Sequence, residues 1–493
     1  MELDIIGGNY QHRFQNINPQ KTINWYVVSK TNIEGNKTLH SLFPTPGLTR
    51  KFTITGNRVR GIYVATDLTT NRCFAVIDDT LWELFKDGTT TSRGTFTNGV
   101  NSTLPVYFTV NTNNQLGIFD GGSCADYLDS YTIVTNNGNL IGNTFNLSTN
   151  TLSTISDVDF PNEAADRGRV YFSNSNDTTA WAAADVFTPT FKADSCIRVI
   201  AFREELYCFG KETMEIYLND GTTPFTRREG TALLYGLVAP HSVAQHANGI
   251  IFLGRSNRGQ PAVYELTHDY KVQQISPHSV SWQIGKNVHL EDCIGYIQEN
   301  KEGHIFYYLH IPGADTTLVY DNINNEWHER KSTKPYSLTD GTTEQGMFRG
   351  NCYVNWDGLH LFGDRYSGNL FVEDYDVFTE DSLMIARRRD GIIYTQEYRP
   401  LSIDRVEIDI NSGAGATTGQ GNDPQLMFQV SKDKGMTYGN KRFIPLGALG
   451  DYSKRVRIHG LGIAEHWGFR FELTDPIACV IVGATANGSF GAV

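Results

Sequence analysis

An all-β fold is what this sequence predicts: an extended N-terminal arm, a β-propeller of six blades and a C-terminal β-sandwich-like domain. Three observations carry that reading. First, four segments pair a hydrophobic run ending in glycine or Tyr-Asp with a second aromatic run: 206–210 with 214–217, 250–254 with 262–264, 318–321 with Trp327, and 359–363 with 369–372. Gly210 and Gly254 stand 44 residues apart and Gly254 and Gly363 stand 109 apart with the Tyr-Asp segment between them, so the hairpins recur about once per blade. Second, the 493 residues include 24 Tyr, 27 Phe and 47 Gly but only 19% charged residues, a mixture that favours strands and turns over helices. Third, no amphipathic helical run exceeds a couple of turns, and no apolar stretch approaches the roughly 18 residues that a membrane span needs.

Taken in order, residues 1–50 read as an extended arm rich in turn chemistry, with Gly7, Gly8, many Asn and Gln, and Pro-Thr-Pro-Gly at 44–47. Residues 51–385 read as the propeller. In 73–85 an Asp-Asp-Thr turn joins two hydrophobic runs, and 106–110 with 116–121 make a further hairpin. The Asn/Thr/Ser-rich stretch 135–154 is poor in long aliphatics and reads as a loop insertion. The propeller ends in an acidic run that includes Asp374 and Asp376, followed by Arg387, Arg388 and Arg389. Such runs are usually solvated linkers; the sharper expectation is an ionic contact between copies of the chain. Residues 386–493 then read as a separate β module, in which 401–410 alternates apolar and polar residues and a glycine-rich loop follows at 412–423.

The formal charge of −12 argues against an outer surface that grips nucleic acid through many phosphates, while leaving DNA as something that passes by. The start lacks a basic leader and apolar core, so export by a signal peptide is not expected. Five Asn-x-Ser/Thr sequons accordingly read as Asn-rich turns. Seven scattered cysteines without a Cys-x-x-Cys read as buried thiols.

Catalytic chemistry is sought and mostly not found. The loop 413–421 lacks the Lys-Ser/Thr ending of a phosphate loop and joins two strands. His241 and His246 miss the helical i, i+4 spacing of a zinc pair, and no Gly-x-Ser-x-Gly elbow occurs. No cofactor, metal or catalytic residue is assigned. One local motif stands out: Ser431, Asp433, Gly435, Thr437 and Tyr438 resemble the Asp-box hairpin that recurs in sialidase propellers, here once, outside the propeller and with Tyr for Trp. Its mechanics are structural. The Asp accepts backbone bonds, the Gly takes the left-handed position and the aromatic plugs the sheet.

An ordered set of motifs then resembles the tail hub, or nozzle, proteins of short-tailed bacteriophages, the packaged-DNA stabilization family. They are 22–26 (TINWY) with 42–48 (LFPTPGL), 236–243 (GLVAPHSV), 252–254, 275–280 (ISPHSV), 319–321, 326–330 (EWHER), 419–425 (GQGNDPQ), 431–438, 450–452, 455–457, 460–462 and 474–476. Residues from about 60 to 190 contribute little to the match. Departures occur at Ile458, where the family tends to carry Trp, and in the Lys-Asp-Lys-Gly turn at 432–435. The resemblance implies a non-enzymatic virion protein assembled in the host cytoplasm. It implies a ring of six copies beneath the portal and its adaptor that extends the DNA channel, retains packaged DNA, and carries a plug or needle and tail fibres or spikes. The arm would then be a contact between copies, and acidic residues would line the lumen so that DNA slides without sequence-specific binding. The competing reading is a phage tail propeller that binds or hydrolyses a host-surface glycan.

Overall fold

The computed structural model describes residues 2–3, 5–11, 19–31, 38–66, 70–96, 104–120, 124–128, 131–135, 142–155, 168–337, 343–393 and 400–490, apart from 193, 223, 258, 412, 414 and 453. Almost all of the regular structure is strand, and the one α-helix among the described residues is the short His278–Gly285.

Among the described residues, seven blades, each built on four antiparallel strands, span residues 47–374. The first runs Val59–Thr66, Asn71–Ile77, Thr80–Leu84 and Thr90–Thr95. The fourth runs Cys196–Phe202, Glu205–Gly210, Met214–Leu218 and Thr226–Arg227. The fifth centres on Gly249–Ser256 and Ala262–Thr267, and the sixth runs Ile294–Glu299, Ile305–Ile311, Thr316–Asp321 and Glu326–Ser337. The seventh takes Gly350–Trp356, Leu359–Asp364 and Leu370–Asp374 from the end of the propeller and its fourth strand, Gly47–Phe52, from the beginning of the chain. Neighbouring blades touch in cyclic order, and the first strand of the seventh lies against the first strand of the first, so the ring closes.

The sequence therefore underestimated the blades by one. Second and third blades interleave: Val106–Val110 and Gln115–Asp120 pair onward with Gly142–Asn146 and Thr151–Thr154, while Cys124–Leu128 and Tyr131–Thr135, inserted between them, pair onward with Val170–Asn174 and Asp177–Phe187. The stretch expected to be a loop insertion at 135–154 thus supplies the outer hairpin of the second blade over residues 142–154. Thr and Asn read as turn formers, yet here Phe145 and Leu147 bury completely or nearly so and fix the register. Residues 136–141 lie outside the described residues.

Blade alternation explains the packing. Each sheet has two apolar faces, and the buried side chains form seven clusters, one between each pair of adjacent blades. Cys73, Val59 and Trp356 fill the seam between the first and seventh blades; Phe209, Phe252 and Tyr264 fill that between the fourth and fifth. All four hairpins read from the sequence are paired strands. Of the six cysteines whose side chains are described, five are buried and Cys352 is half-buried, all as free thiols. Burial pushes Cys293, Cys352 and Cys479 up to about 12, which keeps them protonated and inert.

An eighth cluster is the sandwich core. One sheet has the order Trp25–Thr31, Thr38–Pro44, Ile481–Phe490, Leu401–Ile410, Val456–Ala464, with Glu2–Leu3 beside Ile481–Phe490. The other contains Arg387–Ile393, Trp467–Leu473, Gln425–Ser431 and Arg442–Pro445. Over its described residues the arm is therefore built into the body rather than standing free. Trp25, fully buried, donates its indole N–H to the Cys479 carbonyl at 3.1 Å. Pro19–Ile23 lies between Glu326–Ser337 of the sixth blade and Arg387–Ile393 of the sandwich, so one hydrogen-bonded sheet runs from propeller into sandwich. The turn out of that strand is made by Asn24, at φ 55, a left-handed position that Asn tolerates better than most residues. Its buried amide donates to the carbonyls of Lys331 and Ala386 at 2.9 and 2.8 Å and accepts from Lys331 N at 2.9 Å.

Buried histidines make the sixth blade acid-sensitive. His328 packs against Tyr26 and Phe306, and burial, with Arg330 and His304 nearby outweighing the pull of Asp321, lowers its pKa to about 3. Burial beside Arg198 likewise lowers His241 to about 4, and His310 is also depressed by burial. The unfolded chain binds these protons below about pH 6.5 and the folded chain does not, so this stability is fully present above pH 6.5 and is lost as pH falls toward 4. His304 works in the opposite sense: Asp321, at 2.8 Å, outweighs burial and raises it, and its contribution fades as pH rises. We expect His328→Asn to flatten the dependence of stability on pH between 6 and 4.5 by about 1.4 kcal/mol per pH unit. Urea midpoints across that range check it; an unchanged slope would show that His328 charges freely in the folded state.

Candidate functional site

The Asp-box turn forms as its residue types require. Ser431 closes the strand Gln425–Ser431, and its Oγ accepts from Gly435 N at 2.8 Å while donating to Asp433 at 2.6 Å. Asp433 accepts from Thr437 N at 2.9 and 3.1 Å and from the Thr437 hydroxyl. Lys434 and Gly435 sit at φ 63 and 83, so the left-handed stretch takes two residues rather than the glycine alone. Tyr438 lies under the guanidinium of Arg470, 3.6 Å from its ring centre. What little burial Asp433 has would raise its carboxyl, but the hydrogen bonds from Ser431 and Thr437 outweigh it and hold it at about 2. Both carboxylate oxygens of Asp433 thus accept hydrogen bonds from its own turn. Asp433→Ala should cost about 1 kcal/mol, since the group is largely solvated, and that cost should shrink as pH drops below about 4 toward 2. Denaturation at pH 7 and 2.5 measures it; a pH-independent loss would mean the carboxylate is not what holds the turn.

The arginine run lies inside the chain. Arg387 and Arg389 are 1% and 0% exposed in the strand Arg387–Ile393, because both project onto the same face of the sheet, toward the sandwich core. Arg389 donates to the carbonyls of Ile5 and Gly8, to Thr22 Oγ1 and to Gln20 Oε1, at 2.7, 3.0, 2.7 and 2.8 Å. Arg387 donates to the Asp475 carbonyl at 3.2 Å and lies over Phe378. Arg388, on the opposite face, pairs with Asp390, which Arg470 also clasps. The expected ionic contact between copies is thus corrected for Arg387 and Arg389: buried charges have no surface to offer a neighbour, and Arg389 ties the chain's beginning to its sandwich instead. Asp374 and Asp376 stand apart from them at the end of the seventh blade, where Asp376 N donates to Asp374 Oδ1 at 3.0 Å in a local turn. Local spacing groups the acids with the arginines; strand alternation and distant pairing separate them.

A feature that no spacing announces lies at one end of the propeller axis, where the first strands of the blades begin. Arg58, Leu104, His241, Ile294 and Arg365, from five different blades or their connections, border a cavity of about 460 Å³. Beside it the Tyr107 hydroxyl and His241 Nδ1 share a hydrogen bond of 2.5 Å, and Arg198 lies 4.0 Å from the centre of the Tyr107 ring. His241 therefore contributes a neutral imidazole at pH 7. Among the described residues no group of three His, Cys, Asp or Glu could hold a metal ion, and no helix is long and apolar enough to cross a membrane.

A propeller hydrogen-bonded into a sandwich spends its turn motif and its arginine run on internal architecture. The family models agree: residues 1–377 match the β-propeller and 386–489 the β-sandwich of bacteriophage P22 Gp10, and this chain belongs to that family of short-tailed phage tail hub, or nozzle, proteins. It is a structural protein of the phage tail. No curated protein matches the chain. Solved structures similar to it include a computationally designed protein, Ika8 (8% identity, TM-score 0.33, 66% of this chain and 99% of that one). Others are a streptogramin B lyase (9%, TM-score 0.31, 71% and 98%) and the extracellular domain of a hybrid two-component system from B. thetaiotaomicron (9%, TM-score 0.37, 67% and 40%). At those scores none bears on function.

Proposed function

We propose that the chain forms a ring of six copies below the portal and adaptor, extends the DNA channel, retains packaged DNA and carries a plug or needle and tail fibres or spikes, without catalysing a reaction. The observation that carries this reading beyond family membership is the distribution of exposed apolar side chains. Among the described residues, seven of the twelve large hydrophobics that stand exposed fall in the sandwich: Met436, Phe443, Leu449, Tyr452, Ile463, Val482 and Phe490. Phe443, Tyr452 and Ile463 are 61, 76 and 63% exposed. Exposed apolar side chains concentrated in one domain are what a contact surface presents. The acidic net charge of −12 supports a channel through which DNA slides without sequence-specific grip. The propeller would then be a rigid outward block and the sandwich the side that meets other subunits.

Mass photometry of the purified chain, alone and with portal and adaptor, tests this: the mixture should give ring-sized particles. Phe443→Ser with Ile463→Ser should leave the urea midpoint of the lone chain unchanged and abolish the ring. A ring that forms unimpaired from the double variant would place the contacts elsewhere, and a chain that stays monomeric on the adaptor would sink the hub reading.

A further inference from the structure

The axial cavity contains a cation without a counter-ion. Arg365 follows the strand Leu359–Asp364 of the seventh blade and is only 7% exposed, yet its Nε and Nη2 make no hydrogen bond. Two buried arginines close by are matched: Arg349 forks onto Asp364 at 3.2 and 2.9 Å, and Arg60 donates to the carbonyls of Leu104 and Asp78 at 2.8 and 3.0 Å. A guanidinium costs several kcal/mol to bury and is normally repaid by a carboxylate or a set of carbonyls.

The surroundings sharpen the anomaly. Arg58, from the entry to the first blade, borders the same cavity and repels Arg365; together with burial it lowers the Arg365 pKa to about 10. The acids nearby are Asp292 and Asp315, and Asp315 is already held by Lys334 at 2.9 Å. His241 is neutral there. The cavity thus has two guanidiniums, a neutral imidazole, an ion pair closed on itself and one acid, with room of about 460 Å³.

We propose that this end of the propeller axis is a binding site for a small oxyanion, a carboxylate or phosphate, held by Arg365 with Arg58 as the second cation. Guanidinium forks take either group bidentately. The site lies in the propeller, away from the sandwich face assigned to assembly, so it stands or falls independently of the ring.

Isothermal titration of the full chain with inorganic phosphate and, separately, with citrate tests it and distinguishes the two ligand chemistries. We expect saturable 1:1 binding of at least one, weakened at least tenfold in Arg365→Gln and measurably in Arg58→Gln, with a matching loss of the anion-induced rise in Tm. Arg365→Met should, in anion-free buffer, melt no lower than the parent, because an unmatched buried charge has been removed. Saturable binding of neither anion to the parent chain, or affinity unchanged in Arg365→Gln, overturns the proposal. So does an Arg365→Met chain that melts several degrees lower or fails to fold, since Arg365 would then be matched within the protein.

Discussion

Replacing Arg389 with alanine is expected to destabilise the chain by about 3–5 kcal/mol, the cost of removing one partner from a buried ionic and hydrogen-bonded network. Four acceptors converge on this guanidinium, and two are backbone carbonyls, of Ile5 and Gly8, in a segment that makes few other backbone bonds. Removing the side chain leaves those carbonyls buried and unmatched, and the cheapest relief is for residues 5–9 to leave the sandwich. That would also strip cover from Trp25 and Leu42, which share the core with Ile5. Lysine keeps the charge but not the fork, so Arg389→Lys should recover less than half of the loss. Urea unfolding gives the free energies, and trypsin accessibility at the chain's beginning reports the undocking. A loss below 1 kcal/mol, or an N-terminus as protected as the parent's, would show that Arg389 is an ornament on an already stable joint.

The same residue shows where sequence reading reaches its limit. Hairpins are local: Leu206 pairs with Tyr217, Ile250 with Leu266, Leu318 with Glu329 and Leu361 with Val372, and alternation with a glycine or Tyr-Asp stop was enough to find them. The alternation of 401–410 likewise announced its strand, buried on one face as the pattern required. Long-range pairing left no such mark. Trp25 meets Cys479 across 454 residues, and nothing near either position says so; a stretch with Asn, Gln and two glycines reads as an arm whether or not a distant strand receives it. The second blade failed for a related reason, since its two hairpins are separated by one belonging to its neighbour, and Thr and Asn at 142–154 imitate a loop. The axial cavity is the extreme case, its border drawn from five places in the ring and visible only once the ring has closed.

Removal of the arm, with the propeller left folded, would be the natural experiment on a free contact element. Here it is a different experiment. Residues 19–31 bridge the two modules through Asn24 and complete the sandwich sheet, so truncation to residue 30 should unfold the sandwich rather than spare the body and block assembly. Effects of such a truncation on ring formation would then report stability, and the exposed apolar positions of the sandwich are the cleaner place to probe contacts.

Ring closure supplies the second large effect. Among the described residues Gly47–Phe52 is the one early segment in the seventh blade, running antiparallel to Leu370–Asp374 with Leu48 opposite Glu373. Leu48 is 1% exposed and packs among Phe306, Phe348, Phe362 and Phe371 of the sixth and seventh blades. Truncation to alanine removes apolar surface and opens a cavity ringed by aromatic side chains that are held in sheets and cannot collapse into it, so Leu48→Ala should cost about 3–4 kcal/mol. Arg50, two residues on, points outward and pairs with Asp381 at the surface; Arg50→Ala should cost less than about 1 kcal/mol. The contrast isolates closure from strand propensity, because both changes fall on one strand. A closing strand also couples the ends of the propeller: loosening it exposes the edge of Leu370–Asp374 together with the first blade's flank, so protease sites near 52–58 and 365–369 should open in parallel in Leu48→Ala and in neither case for Arg50→Ala. Equal losses for the two substitutions, or cleavage confined to one side of the seam, would mean that the ring holds without its first strand.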